Sequence, residues 1–393
     1  MKRVLWVVLP ERGHFHPMLG PAAAAEAAGL EVAFYSPRDV RGPLALAGFS
    51  RVFGAGPGEL PGASNRGADF AAMLRDPAQL RAWIELMLVE GARADISPLR
   101  KVVREYRPDV IAMDSMAYSG AIVAQTEGLP WLSVSTSLNP VVPGDFDTEL
   151  IRTTTALEPR RQALFQDAGL TARFRISDVL SPHGTVAFTT EALAGAAPEG
   201  VSLVGPSAPL RPRGEAPVDL SFAAGRPLVY MSLGTQAFHQ PAWFARMFEA
   251  ARGRPYALLA SMGAEGELPP GGTLPENVRC VAHAPQLDVL ARASLFVTHG
   301  GANSVMEGLH AGVPLLVTPI CNDQFHNLQL LERAGAGRRV DLEALSPAAL
   351  GELIEDVLRP RHPLRLAARD LQHSYRARSG ADAVARRLVE LAG

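Results

Sequence analysis

LFVTHGGANSVMEGLHAGVPLLVTPICNDQFHN, residues 295–327, decides how this chain folds. Leu295 to Val297 is a short apolar run of the kind that makes a buried strand, and it stops at His299, Gly300 and Gly301. A helix is expected next. Asn303 or Ser304 can cap it, Val305, Met306, Leu309 and His310 fall at helical spacing, and Gly312 ends it. Val313 to Thr318 reads as the next buried strand, closed by Pro319 and followed by the polar group Asn322, Asp323 and Gln324. The order is strand, glycine turn, helix, strand.

Such a unit has one use at its turn. Glycines let a ligand approach the backbone, and N–H groups at a helix start attract an anion such as phosphate. Glu307 lies one turn along the same helix, where a carboxylate can accept from ribose hydroxyls, and Asp323 with Gln324 offers adjacent groups suited to a sugar. Glycines alone would describe an ordinary strand–helix–strand unit whose loop merely turns. The full set at these spacings describes a nucleotide-sugar site.

The stretch resembles the signature box of the UDP-glycosyltransferase superfamily, the GT-B glycosyltransferases that include plant secondary-product and bacterial macrolide enzymes. The match reaches upstream through Ala284, Pro285, Gln286 and Leu290. The resemblance implies that His299, Asn303, Ser304 and the backbone between them, including Gly301 and Ala302, hold a diphosphate. It implies that Glu307 binds ribose and that Asp323 and Gln324 bind the hexose. His283 stands where the family usually has a tryptophan that stacks on the base, which leaves UDP and dTDP both open. Ala302 stands where plant members have tryptophan, at a backbone contact. The fold implied is α/β, GT-B: two Rossmann-like doubly wound parallel-sheet domains facing across a cleft.

Composition agrees with two domains. At 393 residues the chain is too long for one typical core. A hydrophobic fraction of 47% with 20% charged residues is that of a soluble globular protein. A net charge of −2 gives no reason to expect nucleic acid or an anionic membrane as partner. Cys280 and Cys321 are the only cysteines, too few for a disulfide framework or a zinc site, so a reducing, cytoplasmic setting is expected. The apolar run Val4 to Leu9 is too short for a signal peptide core and reads as a first strand, and no apolar stretch reaches the ~20 residues of a membrane span.

Along the chain, strands are expected at Val4–Leu9, Glu31–Tyr35, Val110–Met113, Trp131–Val134 and Thr185–Phe188, the last of the first domain. Helices are expected at Ala22–Ala28 and, amphipathic, at Pro77–Glu90. The turn after strand one carries Gly13, His14, Phe15, His16 and Pro17 rather than a glycine-rich phosphate fingerprint. Asn139 to Arg175 has weak periodicity and is expected to be irregular or mobile. The expected division is an acceptor-binding domain over 1–205, a Pro/Gly/Arg-rich linker over 206–217, a nucleotide-sugar domain over 218–375 and a final helix over 376–393 that, by the resemblance, packs back on the first domain. The second domain restarts at Leu228–Leu233. The turn at its end, Ser232, Gly234 and Thr235, contacts donor phosphates or sugar in the resembled family.

Transfer to a hydroxyl needs a base, and histidine titrates near neutral pH. Gly13, His14 and Pro17 match the Gly-His-x-x-Pro motif whose histidine is the family's base, and Gly13 is grouped with the donor contacts. Asp114 matches the position of the carboxylate that orients this histidine. Taken singly, His14 or His16 is as readily a surface or capping residue, and Asp114 a helix N-cap. Asp145-Phe146-Asp147 looks like an Asp-x-Asp metal motif but sits among Pro143 and Gly144 in the wrong half, so no metal and no cofactor are expected. Leu74, Trp83, Ile84, Met87, Phe146 and Ile151 suggest an apolar acceptor cleft, with Trp83, Met87 and Phe146 as contacts. The expected activity is inverting, metal-independent transfer of a hexose from a UDP- or dTDP-sugar to a small lipophilic or aromatic acceptor, by a monomer or homodimer. The alternatives are a nucleotide-sugar epimerase of the same fold and a non-catalytic nucleotide-sugar-binding partner protein.

Overall fold

The computed structural model describes residues 1–54, 73, 76–209, 211, 213–235, 239–263 and 274–393. Leu74 of the expected acceptor contacts, and Leu210 and Pro212 of the expected linker, lie outside the described residues. The chain forms two compact units. One holds the described residues of Met1–Ser64 with Asp76–Gly214 and Ala377–Gly393, and the other those of Asn65–Arg75 with Glu215–Arg376.

The first unit carries β1 (Arg3–Val7), α1 (Arg12–Ala27), β2 (Glu31–Ser36), α2 (Arg41–Leu46), β3 (Val52–Gly54), α3 (Pro77–Glu85), α4 (Ala92–Tyr106), β4 (Val110–Asp114), α5 (Tyr118–Thr126), β5 (Trp131–Ser135), α6 (Glu149–Ala156), α7 (Glu158–Gln166), β6 (Arg173–Arg175), β7 (Asp178–Leu180), β8 (Thr185–Ala187), α8 (Glu191–Ala194) and β9 (Val201–Leu203). Seven strands make a sheet in the order β3-β2-β1-β4-β5-β8-β9, all parallel, while β6 and β7 form a separate antiparallel ribbon. The central strands are buried throughout, as a parallel sheet covered on both faces requires.

Four local expectations are corrected here. Gly13 to Pro17 is not a turn: α1 begins at Arg12 and runs through Pro17 and Pro21. Because Pro21 has no N–H, the Pro17 carbonyl loses its helical donor, and the Ser207 hydroxyl donates to it instead. The expected helix Pro77–Glu90 is interrupted by a π-turn over Leu86–Gly91 before α4. Asn139–Arg175 is largely helical. Thr148 caps α6, with its Oγ1 3.4 Å from the Ile151 N–H, and Pro159 opens α7. Its periodicity was hidden because a core-facing position is Arg161, whose buried guanidinium donates to the Ile176 and Thr154 carbonyls at 2.5 and 2.8 Å. Finally, β9 adds a strand beyond β8.

Described residues of the segment after β9 are held against this unit. Gly20 sits so close to them that a Cβ there would lie 2.3 Å from the Ala208 carbonyl oxygen. Arg211 also pairs with Glu26 at 2.8 Å. The last helix, over Gly380–Ala392, docks through the Gly380 amide on the Pro206 carbonyl (3.0 Å) and Arg387 on the His183 carbonyl (2.8 Å).

The second unit carries β10 (Leu228–Ser232), α9 (Pro241–Ala251), β11 (Ala257–Ser261), β12 (Val278–Val281), α10 (Gln286–Leu290), β13 (Ala293–Thr298), α11 (Ala302–Ala311), β14 (Leu315–Val317), α12 (Gln324–Arg333), β15 (Gly337–Arg339), α13 (Pro347–Leu358) and α14 (Pro363–Arg376). Its six parallel strands run β12-β11-β10-β13-β14-β15. In each sheet the winding reverses once, between β1 and β4 in the first and between β10 and β13 in the second. Such reversal points are where open α/β sheets part their loops and bind ligands.

Candidate functional site

In the second unit, strand register assembles the expected donor residues. Val281, Ser261, Ser232, Thr298 and Val317 are hydrogen-bonded neighbours in one row across the carboxyl edge. The residues that follow them in sequence, His283 to Gln286, Leu233 to Thr235, His299 to Gly301 and Thr318 to Gln324, therefore leave the sheet side by side.

At the reversal point the His299 imidazole lies against two glycines. A Cβ on Gly234 would fall 2.8 Å from its Cε1 and Nε2, and one on Gly301 would fall 2.6 Å from Nε2. Gly234 has φ +79 and Gly300 φ +85, a left-handed backbone that favours glycine. Burial pushes the His299 imidazole down to about 4, so at neutral pH it is uncharged and acts as a hydrogen-bonding group rather than a counter-charge. Helix α11 starts at Ala302 with Gly301 as N-cap and no side-chain cap bond. Asn303 and Ser304, expected as caps, instead lie in the first turn. A helix start carries the positive end of the helix dipole, which attracts anions.

Glu307, buried, accepts from Gln286 Nε2 at 2.8 Å, so two expected donor contacts hold one another. Asn327 Nδ2 donates to the Gly300 carbonyl (2.9 Å) and to Asp323 Oδ2 (2.8 Å), tying the glycine turn to the expected hexose residues. Gln324 is turned into its own loop: its Oε1 accepts from the Ile320 and Cys321 amides at 2.7 and 3.1 Å. His283 is exposed and Ala284 buried, while Ser232, buried, has its Oγ 3.4 Å from the Gly234 amide, next to half-buried Thr235.

In the first unit, β1 and β4 are neighbours, with Val7 opposite Met113. That pairing brings together residues 100 apart in sequence: His14 Nδ1 lies 2.9 Å from Asp114 Oδ2. Asp114 is completely buried, whereas the His14 side chain keeps 19% exposure. Asp114 Oδ1 accepts from the Met116 amide at 2.8 Å, and the following helix is capped at Ala117, so Asp114 is not an N-cap. Sequence reasoning missed a third member. Thr136, just past β5, donates from Oγ1 to Asp114 Oδ2 at 2.8 Å and stands 3.1 Å from His14 Nδ1. With Nδ1 protonated toward this carboxylate, the lone pair resides on Nε2, the tautomer a base requires. No sequence signal singles out Thr136 among Ser133, Ser135, Thr136 and Ser137; only the strand order does. His16, by contrast, is driven to about 3 by burial and by Arg213 and Arg12.

In the same unit a cavity opens, lined by Leu9, Glu11, Met87, Asp95, Met116 and Ser119 among others; His14, Asp114 and Thr136 are not among its lining residues, although Glu11 precedes His14 by three residues and Met116 follows Asp114 by two. Met87 belongs to the π-turn, an irregularity frequent at functional sites. Trp83 and Phe146, expected to line the acceptor cleft, are buried and do not line this cavity. Asp147 pairs with Arg152 at 2.7 Å. On the cavity wall the Asp95 carboxyl accepts from Tyr35 and from Ser119 Oγ (2.8 Å), and burial raises its pKa. No helix among the described residues is long and apolar enough to cross a membrane.

Comparison with known proteins agrees with this arrangement. The family described as UDP-glucoronosyl and UDP-glucosyl transferase matches residues 205–363. The NDP-glycosyltransferase YjiC of Bacillus licheniformis is 27% identical over 323 residues, 79% of this chain and 81% of that one. The elloramycin glycosyltransferase ElmGT of Streptomyces olivaceus is 30% identical over 355 residues, 85% of each chain. The crystal structure of the glycotransferase of kitacinnamycin has the same fold, with TM-score 0.79 at 23% identity, covering 99% of this chain and 98% of that one. With paired parallel sheets, a donor edge on the second and relatives across most of its length, the chain belongs to the UDP-glycosyltransferase superfamily, GT-B type, and is an enzyme that transfers a hexose from a nucleotide sugar.

Proposed function

We propose that this enzyme moves the hexose of a UDP-glucose-like donor onto a hydroxyl of a small lipophilic or aromatic natural product, inverting the anomeric centre and using no metal. The observation that carries the reading is His14 backed by buried Asp114 and Thr136, in a unit that also holds a largely apolar cavity whose lining residues Glu11 and Met116 lie within three residues of the pair in sequence. The acceptor lies in that cavity. His14 Nε2 takes the proton of its hydroxyl as the oxygen attacks the anomeric carbon from the face opposite the diphosphate, and Asp114 stabilises the imidazolium formed. Departing negative charge goes to the start of α11, where backbone N–H groups and neutral His299 receive it, which supports a metal-free mechanism. Glu307 takes the ribose hydroxyls, and Asp323 faces the hexose with Gln324 holding its loop. The largely apolar lining of that cavity supports a polyketide-like acceptor, and one relative is an elloramycin glycosyltransferase. The two free cysteines, Cys280 and Cys321, fit a reducing cytoplasmic setting.

The test is to incubate the enzyme with UDP-glucose, UDP-galactose or dTDP-glucose and a panel of phenols and polyketide alcohols, with and without a chelator. A β-product from an α-linked donor, unchanged by chelation and abolished by His14→Ala with UDP binding kept, is expected. Retained configuration in the product NMR spectrum sinks the inverting mechanism, and loss of turnover on chelation sinks the metal-free one.

A further inference from the structure

Behind the His14 pair lies a second buried carboxylate that transfer chemistry does not call for. Asp178, at the start of β7, is completely buried. Its Oδ2 accepts from Ser115 Oγ and Ser135 Oγ, each at 2.5 Å, and from Ser137 Oγ at 3.2 Å. Its Oδ1 accepts from Asn139 Nδ2 at 2.8 Å, from Ser137 Oγ at 3.1 Å and from Ser177 Oγ at 3.3 Å. The positions of these donors decide the reading. Ser115 is the neighbour of Asp114, and Ser135 and Ser137 flank Thr136 on both sides. Asp114 and Thr136, which both meet His14 Nδ1, are thus each adjacent in sequence to a hydroxyl gripped by Asp178. The ribbon strand is itself bound to the sheet ends, through the Val179 amide on the Ser115 carbonyl (2.9 Å) and the Val179 carbonyl under Ser133 Oγ (2.7 Å).

We propose that Asp178 is a positioning residue for transfer: it clamps the ends of β4 and β5 so that Asp114 and Thr136 both meet His14 Nδ1. This rests on the reading of His14 as the base. An apolar core could hold two strand ends together, but it could not set hydroxyl-bearing loops to the fraction of an ångström that a hydrogen-bonded base requires. A carboxylate with this many donors has that precision. The groups facing it are Asp114 and, beyond Ser177, the Tyr118 hydroxyl on Arg161, with Glu158 against Arg161. Burial raises the Asp178 pKa, Asp114 pushes the same way, and the hydroxyl and amide donors oppose both.

Asp178→Asn keeps the shape, removes the charge and turns one of the two acceptor oxygens into an N–H donor that faces the donors already there. With UDP-glucose and the phenol 4-methylumbelliferone as probes, kcat is expected to fall at least ~10-fold with the KM for UDP-glucose unchanged. The acid limb of the pH–kcat profile is expected to move to lower pH, because the imidazolium loses its partner. Independently of turnover, the nitrogen-15 spectrum of the His14 ring, identified by its absence in His14→Ala, should show loss of the Nδ1–H tautomer. A purely architectural Asp178 would lower the melting temperature and leave profile and spectrum in place, which would overturn the proposal. If Asp178→Asn does not fold, Ser137→Ala, which removes one donor beside Thr136, must move the same spectrum in the same direction, and an unmoved spectrum refutes the clamp. If His14→Ala transfers at the wild-type rate, the base reading falls; if only the Asp178 and Ser137 variants are silent, the clamp alone falls.

Discussion

Gly301→Ala isolates what the His299 imidazole does. Gly301 has φ −60, an ordinary backbone angle, so alanine there brings no conformational strain and only a methyl group. That methyl would sit 2.6 Å from His299 Nε2, about 0.8 Å inside the 3.4 Å at which ordinary van der Waals contact begins. The same ring edge already lies against Gly234, where a Cβ would be 2.8 Å away, so the ring is displaced rather than accommodated. If His299 binds the diphosphate as proposed, a shift approaching 1 Å costs on the order of 10²-fold, which sets the donor KM rising ~10–100-fold, or about 1.4–2.8 kcal/mol. Gly234→Ala applies the same push and adds about 1–2 kcal/mol of left-handed backbone strain, so it should also lower the melting temperature. The assay is UDP affinity by calorimetry for Gly301→Ala, His299→Ala and the double variant. Once the ring is gone the methyl has nothing to displace, so the double variant should bind UDP no more weakly than His299→Ala alone. Equal damage from the alanine with and without the imidazole refutes the reasoning.

Two further outcomes follow from the same chemistry. Burial holds the His299, His16 and His326 imidazoles at about 4, 3 and 3 against an ordinary 6.5, so between those values the unfolded chain binds protons that the folded chain excludes. Stability should be full above pH 6.5 and fall as the pH drops toward 4, and a melting temperature flat across that interval would contradict the burial of these rings. Met87→Trp fills part of the cavity lined by Glu11, Met87 and Met116, so kcat/KM for the acceptor should fall by ~10-fold or more while the donor KM stays put; wild-type kinetics would mean that the acceptor lies elsewhere.

The strand, glycine turn and helix around residues 295–312 were legible because every element in them is local: a run of apolar residues, a break, and a 3.6-residue period ended by Gly312, which adopts φ +74. The error at Gly13–Pro17 had a nonlocal cause. Gly13 to Pro17 read as a turn, and only the Ser207 hydroxyl, 190 residues away in sequence, satisfies the Pro17 carbonyl that Pro21 leaves without a helical donor. The helical segment after Asn139 was obscured likewise, because a buried arginine occupies a place where periodicity expects an apolar residue. Gln324 sits where the motif puts it, yet its side chain serves its own loop, a choice made by backbone geometry and not by residue type.

From the residues alone came the alternation of elements and the strand, glycine turn and helix of the donor stretch, since spacing along one strand or helix fixes which side chains share a face; the candidacy of His14 and Asp114 came from the resemblance to the family's motifs. Strand order decided the rest. Placing β4 next to β1, and β5 next to β4, is what puts Asp114 and Thr136 on His14 and Asp178 behind them, and parallel pairing across some hundred residues leaves no periodic trace in the chain that forms it.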